Sequence, residues 1–269
     1  MQYFANNSFF SHYFALQIRS AMQKDERQEQ ILKWLQKDQK VSLPALSKAL
    51  SVSEDTIRRD IKELSVRKLL KEVRGGAVPH APGPLAIKDR MNFAGKQKQE
   101  MAKKAIRLVK KGNVLILDGG TSAMAVASLL PKDLQLTVIT NSFPVAEVLG
   151  DRPDVELLFA GGRLFRDSLI TTGHDTINFY QNIRADICFL GVCSIHLDLG
   201  LTGHDYEEAA VKKAMINAAA QVVALATAEK INTAEAFHIC PITSLTGLIT
   251  PAPQLALLQP YKEAGIRVI

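Results

Sequence analysis

The sequence predicts an α/β protein in two parts: an N-terminal winged helix-turn-helix domain joined to a larger α/β domain built on a parallel sheet. Three observations predict this. Between Arg27 and Val78, three short amphipathic helical patterns precede two short strand-like runs. Pro79-His80-Ala81-Pro82-Gly83, followed by Pro84, then interrupts regular structure, because proline removes a backbone donor and fixes φ. From about Lys96 onward, apolar strand-like runs alternate with helical patterns, as βα units require. The expected boundaries are residues 22–79 for the first domain, 80–95 for a linker and 96–269 for the second domain.

In the first domain, Gln30 to Gln36 is apolar at Ile31, Leu32, Trp34 and Leu35, which suits an amphipathic first helix. Ser42 is a good N-cap for a second, with Pro44 tolerated in the first turn and Leu43, Leu46 and Leu50 on one side. Ser51-Val52 makes a tight turn. Ser53 caps a third helix, and Glu54 and Asp55 complement the positive end of its dipole. Ile57, Ile61 and Leu64 are spaced i, i+4, i+7 and form a buried stripe. Asp55, Arg58, Arg59 and Lys62 then fall on the exposed arc, with Thr56 at its side. Leu69 to Val73 and Ala77-Val78 read as two strands around Arg74-Gly75-Gly76, a wing with Lys68 and Lys71 nearby.

A short helix after a tight turn that presents Thr and two Arg suits the major groove of double-stranded DNA, where Arg bonds guanine edges and Lys, Thr and Arg anchor phosphates. The alternative is an ordinary solvated helix; the helix-turn-helix-wing order and the outward basic face favour the first reading. Charge agrees: the chain carries +6, and residues 22–79 hold 13 Lys and Arg against 9 Asp and Glu, so most of the excess lies in the smaller part. Candidate DNA contacts are Ser42, Ser53, Asp55, Thr56, Arg58, Arg59, Lys62, Arg74 and Gly75.

In the second domain, strands are expected at Val114–Leu117, Thr137–Ile139, Val155–Phe159, Ile187–Leu190, Val222–Ala226, Leu248–Ile249 and Arg267–Ile269. Several are continuously apolar, as strands buried on both faces of a parallel sheet are. Small and polar residues follow them: Asp118-Gly119-Gly120-Thr121-Ser122, Thr140-Asn141-Ser142, Gly161-Gly162, Gly191 and Thr227. Open α/β sheets bind ligands at these carboxyl ends. Asp118 to Ser122 is the best single candidate, since glycines let backbone approach an anion and a helix starting at Thr121 offers its N-terminus to phosphate oxygens. Neither G-x-G-x-x-G nor a Walker A sequence occurs, so no dinucleotide or ATP, and no cofactor, is expected.

Other features read more plainly. Glu208 and Lys212 are i, i+4 on a helix over Glu207 to Ala220, and spacing alone makes them a surface ion pair. Asp205 can cap that helix, and Lys230 can be a solvated loop charge. His174, His196 and His204 lack metal-ligand spacing, and no metal is expected. Cys188 and Cys193 lie around a strand end and suit packing more than ligation. The three cysteines (Cys188, Cys193, Cys240) are odd in number with no C-x-x-C, which suits free thiols in the reducing cytoplasm. No apolar run is long enough to span a bilayer, and no membrane partner is expected. Residues 1–21 are rich in Phe, Tyr, Asn and Ser without a basic region and apolar core. They read as a disordered leader, or as sequence upstream of a start at Met22.

Val52 to Leu64 (Val-Ser-Glu-Asp-Thr-Ile-Arg-Arg-Asp-Ile-Lys-Glu-Leu), followed by Arg74-Gly75-Gly76-Ala77, closely resembles the DeoR family of bacterial sugar-responsive regulators. The resemblance extends through the second domain, which looks like the family's sensor domain, similar in fold to ribose-phosphate isomerases. It implies a sequence-specific regulator, a repressor of carbohydrate-metabolism genes, controlled by a phosphorylated sugar. By position it carries over Asp118, Gly119, Gly120, Thr121, Ser122, Thr140, Asn141, Gly161, Gly162, Asp205, Glu208, Lys212 and Lys230 as pocket residues. The chain departs from the family where Thr227 and Pro251 replace the usual Asp and where Ser194 stands for Gly. The rival reading is a sugar-phosphate isomerase-like enzyme using Asp118, Asp205 or Glu208 as base. One winged helix covers a short site, so a homodimer or homotetramer reading paired half-sites is expected.

Overall fold

The computed structural model describes residues 22–38, 40–67, 69–79, 87, 90 and 95–269. The expectations for residues 1–21 and for Lys68 lie outside them. The chain divides into two units, Met1–Pro79 and His80–Ile269.

The first unit opens with α1 (Lys24–Asp38), longer than the apolar pattern from Gln30 suggested, because Arg27 and Gln28 are themselves buried. The two-residue strand β1 (Val41–Ser42) leads into α2 (Leu43–Leu50), where Ser42 Oγ accepts the Ala45 N–H at 3.3 Å. Ser51 takes the left-handed conformation (φ 54°) that ends α2. Ser53 Oγ accepts the Thr56 N–H at 3.2 Å and starts α3 (Glu54–Val66). Ile31, Leu46, Ile57, Ile61 and Leu64 form the centre of the core.

The wing is β2 (Lys71–Val73) and β3 (Gly76–Val78), with β1 paired on the other edge of β3. Its turn is Arg74-Gly75, one residue shorter than expected, with Gly75 at φ +82°. Gly76 belongs to the strand because it pairs with both Val73 and Ser42. A Cβ there would lie 1.8 Å from the Val41 carbonyl oxygen. Leu69 is exposed and precedes the strand; its N–H bonds the Leu64 carbonyl at 3.0 Å.

The second unit is built on a parallel sheet of seven strands. They are β4 (Val114–Leu117), β5 (Leu136–Thr140), β6 (Val155–Phe159), β9 (Ala185–Gly191), β12 (Ala219–Leu225), β14 (Gly247–Ile249) and β15 (Arg267–Val268). Their order is β15-β14-β12-β9-β4-β5-β6. Each expected strand is one of the seven, shifted by up to three residues at its ends. The central strands of the sheet are buried on both faces, which explains their continuous apolar runs, whereas the edge strands β6 and β15 keep exposed positions. In β9, Ile187 and Phe189 face one core cluster while Cys188 and Leu190 face the other. The helices are α4 (Gly95–Ala105), α5 (Thr121–Leu129), α6 (Phe143–Leu149), α7 (His174–Gln181), α8 (Tyr206–Asn217) and α9 (Gln259–Glu263). Helix α8 ends three residues before the Ala220 expected, since Ala219 begins β12.

Two small antiparallel sheets were not foreseen. Strands β7 (Arg163–Phe165) and β8 (Ile170–Thr172) form a hairpin, and β10 (Ser194–His196), β11 (Gly200–Gly203) and β13 (Phe237–Cys240) form a three-stranded sheet. The linker expected over residues 80–95 is narrowed. Ile87 is buried, its N–H bonds the Asp167 carbonyl at 2.9 Å, and α4 already starts at Gly95. No helix among the described residues is long and apolar enough to cross a membrane.

Candidate functional site

Helix α3 has two contrasting faces. Ile57, Ile61 and Leu64 are buried, whereas Asp55, Arg58, Arg59 and Lys62 are exposed and Thr56 is half-buried. Arg58 Nη1 donates to Asp55 Oδ1 at 3.0 Å, and the Ser53 and Thr56 hydroxyls share a hydrogen bond of 2.9 Å. Ser42, Ser53 and Asp55 therefore already cap or pair within the helices, while Arg59 and Lys62 project from the same face. Arg74 and Gly75 are exposed at the wing tip. A groove of about 400 Å³ between α3 and the wing is lined by Arg58, Ile61, Glu72 and Arg74 among others. This geometry offers a basic helix face beside a basic turn, as a duplex backbone and groove require.

The charge pattern of α3 concealed one feature. Asp60 is buried and receives Arg27 Nε at 2.5 Å and Arg27 Nη2 at 3.1 Å, with Gln28 Nε2 at 3.4 Å. This bidentate pair ties α3 to α1, and the Asp60 hydrogen bond raises the Arg27 pKa above its ordinary value despite the opposing effect of burial.

In the second unit the chain runs from β4 to β5 and β6 on one side, then returns to β9 on the other side of β4. The crevice between β4 and β9 is thus a topological switch point. Asp118 follows β4 and is buried, and its Oδ2 accepts the Gly191 N–H at 2.9 Å from the end of β9. Lys212 of α8 donates to the same Asp118 oxygen and, at 3.0 Å, to the Gly191 carbonyl. Glu208 Oε1 lies 3.5 Å from Lys212 Nζ. The surface-pair reading of Glu208 and Lys212 is therefore wrong. Lys212 is 3% exposed and its main partner is 94 residues away. Burial alone would favour the neutral amine, but the Asp118 and Glu208 carboxylates outweigh it and hold the Lys212 pKa above its ordinary value.

A cavity of about 140 Å³ opens beside this pair. Gly119, Gly120, Thr121 and Ser122 form one wall, with Gly120 at φ +100° directly before α5. Gly191, Val192 and Cys193 come from the end of β9, and Glu208 and Lys212 from α8. Thr227, Glu229 and Lys230 follow β12, and Arg90 and Lys98 complete the lining. Lys230 is half-buried here rather than a solvated loop charge; burial lowers its pKa, against the opposing effects of Cys193 and Glu229. Lys98 is buried, donates to the Arg90 carbonyl at 2.6 Å, and has its pKa lowered to about 8 by burial and by Lys230 and Arg90. Cys193 lines the cavity, and burial pushes its thiol up.

Arg90, Lys98, Val192, Cys193 and Glu229 were missed as lining residues. Arg90 sits in the stretch read as linker, and Lys98 in a helix whose many lysines look solvated.

The other expected pocket residues do not line this cavity. Thr140 and Asn141 are fully buried: Thr140 Oγ1 accepts the Ser142 N–H at 3.1 Å, and Asn141 Nδ2 donates to the Thr171 carbonyl at 2.7 Å. They brace β5 against β8. Gly161 and Gly162 turn tightly against α7. Thr176 Oγ1 donates to the Gly161 carbonyl at 2.7 Å, and a Cβ on Gly162 (φ +145°) would lie 2.2 Å from that hydroxyl oxygen. Asp205 is the N-cap of α8, its Oδ1 accepting the Glu208 N–H at 2.8 Å. Among the histidines, His204 Nδ1 pairs with Glu235 Oε2 at 3.0 Å.

Comparison with known proteins agrees with this division. Residues 27–81 match the DeoR-like helix-turn-helix domain and residues 94–252 the DeoR C terminal sensor domain. The HTH-type transcriptional regulator GolR of Listeria innocua is 31% identical over 90% of this chain and 97% of its own length. The glycerol-3-phosphate regulon repressor of Haemophilus influenzae is 29% identical over 92% of this chain and 97% of its own length. Among solved structures, ribose 5-phosphate isomerase A from Methanocaldococcus jannaschii aligns with 51% of this chain and 54% of its own, at 20% identity and a TM-score of 0.39. With both family domains present in order and across nearly its whole described length, the chain belongs to the DeoR family.

Proposed function

We propose that this chain is a sequence-specific DNA-binding transcriptional regulator, a repressor of carbohydrate-metabolism genes, whose grip on its operator changes when a phosphorylated sugar occupies the cavity of the second unit. The observation that carries this is the convergence of Arg90, Lys98, Lys212 and Lys230 on the Gly119-Gly120 turn at the start of α5, in a chain that also exposes Arg58, Arg59 and Lys62 on α3. Backbone donors at a helix start and flanking cations make a phosphate site. A ligand that prefers the state with low operator affinity shifts the population away from DNA.

The site is read as a sensor rather than a catalyst because the three candidate bases are already engaged, Glu208 with Lys212 as well. Asp118 is paired with Lys212, and Asp205 caps α8. Assembly as a homodimer or homotetramer in the cytoplasm follows from the need to read paired half-sites.

A gel-shift titration of the full chain against its own upstream DNA, with and without pentose, hexose and glycerol phosphates, tests the reading. Absence of any specific shift in every ligand state defeats it. Arg59→Ala is expected to weaken specific operator binding by about 1–3 kcal/mol, roughly 5- to 150-fold, with the fold unchanged by circular dichroism.

A second expectation concerns pH. Lys98, with its pKa near 8, is charged below that pH and neutral above it. Lys230 is shifted in the same direction, the Arg90 guanidinium adds to the shift of both lysines, and the Glu229 carboxylate opposes it. Sulfate, a dianion throughout this range, should bind more weakly as pH rises from 7 to 9 in titration calorimetry. Lys98→Met should flatten that dependence.

A further inference from the structure

We propose that Glu229 is a built-in competitor for the anion this cavity takes: its carboxylate, held by Thr227 beside the cations Lys98 and Lys230, penalises each added negative charge on a ligand. The inference rests on the reading of the cavity as an anion site and adds to it a residue that determines affinity and charge selectivity.

The geometry is specific. Thr227 is buried, and its Oγ1 donates to Glu229 Oε1 at 2.5 Å. The intervening turn, Ala228–Lys230, is closed by the Lys230 N–H on the Thr227 carbonyl at 3.1 Å. Glu229 and Lys230 are therefore held side by side on one short turn, and both line the cavity. Glu229 also acts electrostatically on both lysines, favouring their charged forms.

The cavity's other negative groups are committed elsewhere. Asp118 and Glu208 both face Lys212. Among the described lining residues, that leaves Glu229 as the carboxylate beside Arg90, Lys98 and Lys230. A phosphate drawn to those cations meets a fixed negative charge beside them, and in a half-buried site such repulsion is poorly screened.

Like-charge repulsion scales with ligand charge, so removing Glu229 helps a dianion more than a monoanion of similar shape. This separates an electrostatic role from a structural one. Calorimetry on the full chain at fixed pH and ionic strength should compare sulfate with methanesulfonate. Glu229→Gln is expected to tighten sulfate at least about tenfold and methanesulfonate by only about threefold. Thr227→Val, which frees the carboxylate from its anchor, should move sulfate affinity the same way by a smaller factor.

If Glu229→Gln and Thr227→Val leave sulfate affinity unchanged or weaken it while the parent binds, the competitor role is overturned and the anion site stands. Equal tightening of both probes also overturns it, since charge would then not be the cause. If the parent and both variants bind neither sulfate, inorganic phosphate nor a sugar phosphate, the anion site itself falls, and this inference with it. Loss of sulfate binding in Lys230→Ala, with thermal stability retained, supports the underlying site independently.

Discussion

Asp60→Ala is expected to destabilise the first unit by about 3–5 kcal/mol, the usual cost of removing one member of a buried ion pair. Asp60 lies on α3 beside Arg59 but faces inward at 2% exposure, gripped by two nitrogens of Arg27. Alanine would leave that buried guanidinium without its bidentate partner, with only the Met22 carbonyl at 3.2 Å and the more distant Glu63 charge to offset it. A unit this small commonly holds only about 3–5 kcal/mol of core stability, so the substitution should leave it largely unfolded and unable to bind DNA, although Asp60 does not point toward the duplex. Trp34 is the single tryptophan and packs on the core of this unit, so its fluorescence during denaturation reports on this unit alone. The paired change Arg27→Met with Asp60→Leu should recover most of the loss, since a well-packed apolar pair often matches a buried salt bridge. A loss below about 1 kcal/mol in the single variant would mean that the pair behaves like a surface bridge.

Lys212→Ala should act on the second unit in two separable ways. It strips Asp118, which is 1% exposed, of its counter-ion, at a cost of about 3–5 kcal/mol. For a domain of this size that corresponds to a fall in Tm of roughly 6–20 °C. It also removes a cation from the cavity. Adding Asp118→Asn should restore much of the stability by removing the stranded charge, but not the ligand response. Operator binding in gel shifts should survive in both variants. If the double variant regains ligand response, Lys212 is a structural residue and not part of the sensor.

Helix α3 was legible because its signals are local: the Ser53 cap, the acidic first turn and the spacing of Ile57, Ile61 and Leu64 act within one stretch of chain. The central sheet strands were legible because burial on both faces leaves continuous apolar runs. What escaped depends on distant partners. Arg27 and Asp60 look like two more charges on amphipathic helices until 33 residues of intervening chain bring them together. The i, i+4 spacing of Glu208 and Lys212 suits a solvated face equally well, and only Asp118 arriving from β4 reveals the burial. The β7–β8 hairpin and the β10–β11–β13 sheet are short and lie outside the main sheet, so their residues lack a clear hydrophobic period. Thr140, Asn141, Gly161 and Gly162 were assigned to the pocket from the family resemblance and their place after strands, yet polar and glycine residues at strand ends serve backbone bracing as often as ligands.

The pairing of β4 with β9 sets Ile116 against Cys188, across a wide span of chain. The first unit, by contrast, is assembled from elements close together in sequence. Contacts between distant residues bear a greater loop-closure entropy and form more slowly, and synthesis proceeds from the N-terminus. The reading helix and its wing are complete once Pro79 has emerged, whereas the turn carrying Glu229 and Lys230 and the strand β14 come near the end. A growing chain therefore completes its helix-turn-helix well before the strands and turns that enclose the cavity.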